Sequence, residues 1–75
     1  MPKDNILRAL AETRKKIEGL KGFHVPVVLK TIEEYEQEEV DEQFIEQQRL
    51  QLQKLYEMIA ELEAKAELLR KRLKN

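Results

Sequence analysis

IEQQRLQLQKLYEMIAELEAKAELLRKRL, residues 45–73, is the stretch whose reading decides the fold. Ile45, Gln48, Leu52, Leu55, Ile59, Leu62, Ala66, Leu69 and Leu73 follow one another at alternating steps of three and four, which keeps all nine on one stripe of a helix. With Ile45, Leu52, Ile59, Ala66 and Leu73 at a and Gln48, Leu55, Leu62 and Leu69 at d, the stretch is an unbroken heptad seam free of Pro and Gly. Burying its Leu and Ile side chains would gain roughly 10–20 kcal/mol, so the seam is expected to find a partner.

The chain has 75 residues and no cysteine, which leaves no disulfide or thiolate metal site to reinforce a small core. Oligomerisation is the remaining support. The first apolar group is Ile6-Leu7 within a charged segment, and no apolar run nears the ~20 residues of a membrane span. A soluble, cytoplasmic protein is expected, with no membrane partner.

Charge falls into blocks. Residues 1–30 carry seven Lys/Arg against three Asp/Glu, residues 31–48 carry eight acids and no base, and residues 49–75 carry seven bases against four acids. Opposite blocks would neutralise each other if the chain folded back on itself.

Upstream of the seam, Ile6, Leu10, Thr13, Ile17 and Leu20 form a second stripe, preceded by the helix-capping candidates Asp4 and Asn5. Lys21-Gly22-Phe23 fits a helix C-terminus with Gly at the left-handed position, and His24-Val25-Pro26 reads as a turn. A new helix is expected from Pro26, since Val25, Val28, Ile32 and Tyr35 again share a stripe. A later start at Thr31, with Glu34 completing a capping box, is the rival.

Between Glu33 and Glu46 the apolar phase shifts, which signals either a stutter or a break; the absence of Pro and Gly after residue 27 favours continuity. The expected fold is therefore all-α: one domain over residues 1–75, with helix one at 4–21, a turn at 22–25, a hairpin-paired segment at 26–45 and a self-associating segment at 45–74. A second helix of ~73 Å would outrun a first helix of ~26 Å and leave the seam to another chain. Leu20 would lie beside Val28, Ile17 beside Ile32 and Thr13 beside Tyr35, with Leu10 near Glu38 to Val40.

The expected oligomer interface is Ile45, Gln48, Leu52, Leu55, Tyr56, Ile59, Leu62, Ala66, Leu69 and Leu73. Tyr56, Met58 and Phe44 widen the apolar face beyond a two-stranded seam, so a four-helix assembly stands beside a dimer. Parallel pairing would set Lys65 against Arg70, and antiparallel pairing Arg49 near Arg70; neither orientation is favoured.

Catalysis is not expected. Ser, Cys and Trp are absent, and the only hydroxyls belong to Thr13, Thr31, Tyr35 and Tyr56. His24 is the single imidazole, and the acids match neither an EF-hand nor a helical di-iron pattern, so neither metal nor cofactor is expected. Arg14, Lys15 and Lys16, with Arg70, Lys71 and Arg72, are the candidate nucleic-acid contacts. A basic zipper is excluded because an acidic block, not a basic one, precedes the heptads.

The reading is a non-enzymatic interaction or regulatory module acting as a homo-oligomer, with another helical protein as a possible partner. A nucleic-acid-binding regulator and an assembly or scaffolding factor are the alternatives. The first alternative turns on whether Arg14 to Lys16 stay tied to the acidic block or stand free of it.

Overall fold

The computed structural model describes residues 2–38 and 41–74. Helix α1 runs over Pro2–Gly19, a π turn over Leu20–His24 leads into α2 at Val25–Gln37, and α3 covers Glu42–Lys74. The backbone stays helical through Gly19, His24 and Val25, so α1, the π turn and α2 form one continuous arm. The chain reverses only at Glu38–Asp41, and α3 packs back along both α1 and α2. The result is a helical hairpin 55 Å long and 15 × 13 Å across.

The expected turn at 22–25 is thus corrected. Two stripes, Ile6 to Leu20 and Val25 to Tyr35, share the same three-four alternation but are separated by a step of five. A single π turn, bonded i→i+5, absorbs the one extra residue and restores the phase. Its bond runs from the Val25 N–H to the Leu20 carbonyl. The widened turn also relieves Pro26, whose ring in a regular helix would clash with the carbonyl four residues back.

Gly22 does not take the left-handed conformation expected of it, and Gly19 marks no close helix approach: a Cβ at either position would meet open space. Thr31 starts no helix either; it is mid-helix, its hydroxyl donating to the Val27 carbonyl at 2.9 Å.

Length explains why this closure wins. Residues 6–35 span ~45 Å of helix and residues 45–73 ~43 Å, so one stripe covers the other end to end. A turn at 22–25 would leave most of the seam in water and forgo roughly 10–20 kcal/mol. Keeping two glycines inside a helix costs only about 1 kcal/mol each.

The second expectation corrected is continuity through residues 36–44. Glu38, at φ −87° and ψ 0°, ends α2 with its N–H on the Glu34 carbonyl. Asp41 opens α3: its carboxylate accepts from the Gln43 N–H at 3.0 Å, and its carbonyl from Phe44 and Ile45 at 3.1 and 3.3 Å. That is N-cap geometry, and the acids here also suit the positive end of a helix. Tyr35 and Phe44 meet across the reversal, ring centroids 4.5 Å apart at 60°. Glu39 and Val40, which the sequence reading assigned to the acidic block and to contact with Leu10, lie outside the described residues.

The core is a single line of side chains in two clusters. Near the reversal, Val25, Val28 and Ile32 pack with Ile45, Leu55 and Ile59; towards the open end, Leu10 packs with Ala66 and Leu69. Thr13 is buried, its hydroxyl satisfied by the Ala9 carbonyl at 2.7 Å. The expected contacts Leu20–Val28, Ile17–Ile32 and Thr13–Tyr35 do not form, because those residues share one helical arm. Ile17 instead joins the cluster of Leu10, Ala66 and Leu69.

Candidate interaction surface

The residues expected to join two chains divide by position in the hairpin. Ile45, Leu55, Ile59, Ala66 and Leu69 are buried, Gln48, Leu52, Leu62 and Leu73 are half-buried, and Tyr56 is exposed. The buried members pack on α1 and α2 of the same chain. The premise that the seam has no cover within its own chain is therefore overturned.

The six candidate nucleic-acid contacts are all exposed. Arg14, Lys15 and Lys16 do not face the acids at 33–38, as a turn at 22–25 would have required; the late reversal carries those acids to the far end of the rod. Among the described residues the ion pairs are Lys21–Glu63, Arg49–Glu36, Arg49–Glu46 and Arg70–Glu67, so none involves Arg14 to Lys16. Pairing residue 21 with 63 places Arg14 opposite Arg70, since antiparallel helices keep the sum of facing positions constant. Both basic clusters therefore gather at the open end. Residues 3–16 with 65–74 bring ten Lys/Arg against three Asp/Glu there, and the described residues of 31–48 bring seven acids to the reversal. The hairpin is a rod with a basic end and an acidic end.

Its two flanks differ. One carries the ion pairs Lys21–Glu63 and Glu36–Arg49, with Leu29 and Tyr56 at the level between them. The other opens near mid-rod into an apolar groove of ≈ 270 Å³ lined by Lys16, Gly19, Leu20, His24, Met58 and Leu62. A second hollow of ≈ 510 Å³, along α3, is lined by Gln47, Leu50, Gln51, Lys54, Leu55 and Met58, so Met58 is shared by both. Gly19 and His24, which bracket the π turn, line this groove at the edge of the seam. Phe23 projects beside it with 65% of its surface in water, edge-on to the His24 ring at 5.4 Å. The His24 Nδ1 stands 3.2 Å from the Gly19 carbonyl, so the tautomer protonated at Nδ1 donates to it.

Phe23, Val27, Leu50, Met58 and Leu68 are each about half or more exposed, and helical register places them on or next to this groove flank. The sequence alone marks Met58 as widening the apolar face and Phe23 only as part of a helix terminus, and it gives Val27, Leu50 and Leu68 no surface role. Phe23 and Val27 are four apart and lie off the core stripe, a signal hidden once residues 22–25 were read as a turn. No family model matches the chain, and neither a curated protein nor a solved structure is detectably similar to it.

Proposed function

We propose that this chain is a non-enzymatic helical interaction module that acts as a homo-oligomer, serving a regulatory or assembly role through the outer surface of its hairpin. The observation that supports this is the thinness of the core. Among the described residues no large side chain is fully buried, while eight large apolar residues, from Leu7 to Leu68, stay about half exposed. Two helices bury only one stripe each, and a small domain of this kind gains its missing cover from a further layer. The first seam is filled from within the chain, so the second copy docks on the outer faces. The missing catalytic side chains agree with a binding role, and a cysteine-free chain is compatible with the cytoplasm.

Sedimentation equilibrium at low micromolar concentration tests the reading. A dimer or tetramer of the 9.0 kDa chain is expected. A 9.0 kDa species with full helicity by circular dichroism would contradict it.

A second reading, a nucleic-acid-binding regulator, is favoured by one observation: the bases at 14–16 stand free of the acidic block and share an end with Arg70 to Lys74. Against it stands the net charge of −1, which gives no overall attraction to a polyanion. Replacing Arg14, Lys15 and Lys16 with Gln separates the two. Loss of salt-dependent DNA or RNA binding with an unchanged oligomer would support the second reading.

A further inference from the structure

We propose that the homo-oligomer is built on an antiparallel pair, in which a second copy of the chain lies on the groove flank with its acidic end against the basic end of the first. The inference rests on the self-association reading and goes on to specify its occupant, face and orientation.

Shape comes first. A flank 55 Å long and about 15 Å wide offers roughly 800 Å², the area each partner contributes to a standard stable interface. Apolar surface near its middle is formed by Phe23, Val27 and Met58, beside the groove that runs from Lys16 to His24, and Leu50 extends it towards the reversal. A two-fold axis through this region makes the contact self-complementary, the Phe23 of each copy meeting the apolar patch of the other. Burying an exposed aromatic beside a preformed hollow is the arrangement typical of interface anchors.

Charge then selects the orientation. On the groove flank the basic half carries Lys16, Lys65 and Arg72 against Glu12 and Glu61, and the acidic half carries Glu34 and Glu38 against Lys54, so a modest excess of one base faces an excess of one acid. All eight are exposed, and none of them has an ion-pair partner among the described residues. Parallel packing would stack base on base and acid on acid. Antiparallel packing sets each end beside its opposite, within the ~10 Å over which charges act at moderate salt. The compensation expected inside one chain is thereby moved between two chains.

The test uses the full chain, which has no native cysteine. A single spin label at Arg72→Cys, far from the two-fold axis, should report an interchain distance of about 40–55 Å by dipolar spectroscopy in the antiparallel pair and below about 25 Å in a parallel one. Reversing Lys16, Lys65 and Arg72 to Glu should weaken association at least tenfold at low salt. Adding Glu34→Lys and Glu38→Lys to that variant should restore it. A short distance, or absence of rescue, overturns the orientation while sedimentation still shows an oligomer. A monomer by sedimentation overturns self-association itself. A short distance that lengthens or vanishes on adding duplex DNA would overturn this arrangement in favour of a polyanion-binding basic end.

Discussion

Lys21, in the π turn, and Glu63, in α3, are 42 residues apart in sequence and 3.0 Å apart in space. No hairpin that turns at 22–25 can bring them together. Their pairing sets the register of the whole rod, and with Glu36–Arg49 it shows that one register holds over both halves. Both partners are more than half exposed, so the pair reports register rather than carrying stability. Lys21→Glu is expected to lower stability by a few tenths of a kcal/mol, up to ~1 kcal/mol, at low ionic strength. The double variant Lys21→Glu/Glu63→Lys should recover the loss. Thermal melts at low and ~0.5 M salt check this, since the effect should fade at the higher salt.

Gly22→Ala distinguishes a helical arm from a turn in a single substitution. Inside a helix, with open space around its Cβ, alanine should stabilise by about 0.5–1 kcal/mol. At a left-handed helix terminus the same change would destabilise. Denaturant midpoints for Gly22→Ala and Gly19→Ala, both expected to rise, make the comparison.

Much of this fold could be read before any coordinates. The all-helical class, the seam at 45–73 and the upstream stripes at Ile6 to Leu20 and Val25 to Tyr35 all follow from spacing. The reversal was misplaced because Gly22 and Pro26 are strong local punctuators, whereas the π turn they sit beside leaves only a step of five between Leu20 and Val25. Local propensity pointed to residue 24; the match in length between the two stripes, a property of the whole chain, decided for residues 38–41. Asp41 was visible as a carboxylate but not as a cap, since it is one acid among eight in its block. The surface was the least legible part. Phe23 and Val27 pair at a step of four, but nothing in the spacing links them to Leu50 and Leu68, and only the packed hairpin shows which flank they share.

Asp41→Ala should destabilise the hairpin by ~0.5–2 kcal/mol through loss of the cap on the Gln43 N–H. Asp41→Asn, which keeps an accepting oxygen, should recover most of it. Chemical denaturation of the three proteins at one concentration checks the order.

Leu10→Ala, at a position 4% exposed and far from α3 in sequence, should cost about 2–4 kcal/mol. Because Leu10 packs on Ala66 and Leu69, amide exchange should accelerate across the C-terminal part of α3 as well as in α1. Exchange confined to the first twenty residues would show that the open end is not packed.

The central claim is that the heptad seam is closed by the first half of its own chain, with the reversal at Glu38–Asp41. Spin labels at Arg14→Cys and Arg70→Cys, diluted with unlabelled protein so that only intrachain pairs are seen, test it most directly. These positions face each other across the hairpin, with helix axes ~10 Å apart, and the expected separation is about 15–20 Å including the label arms. A hairpin turning at 22–25 would put Arg14 level with residue 33 and leave Arg70 about 55 Å away. A distance in that long range would contradict the account.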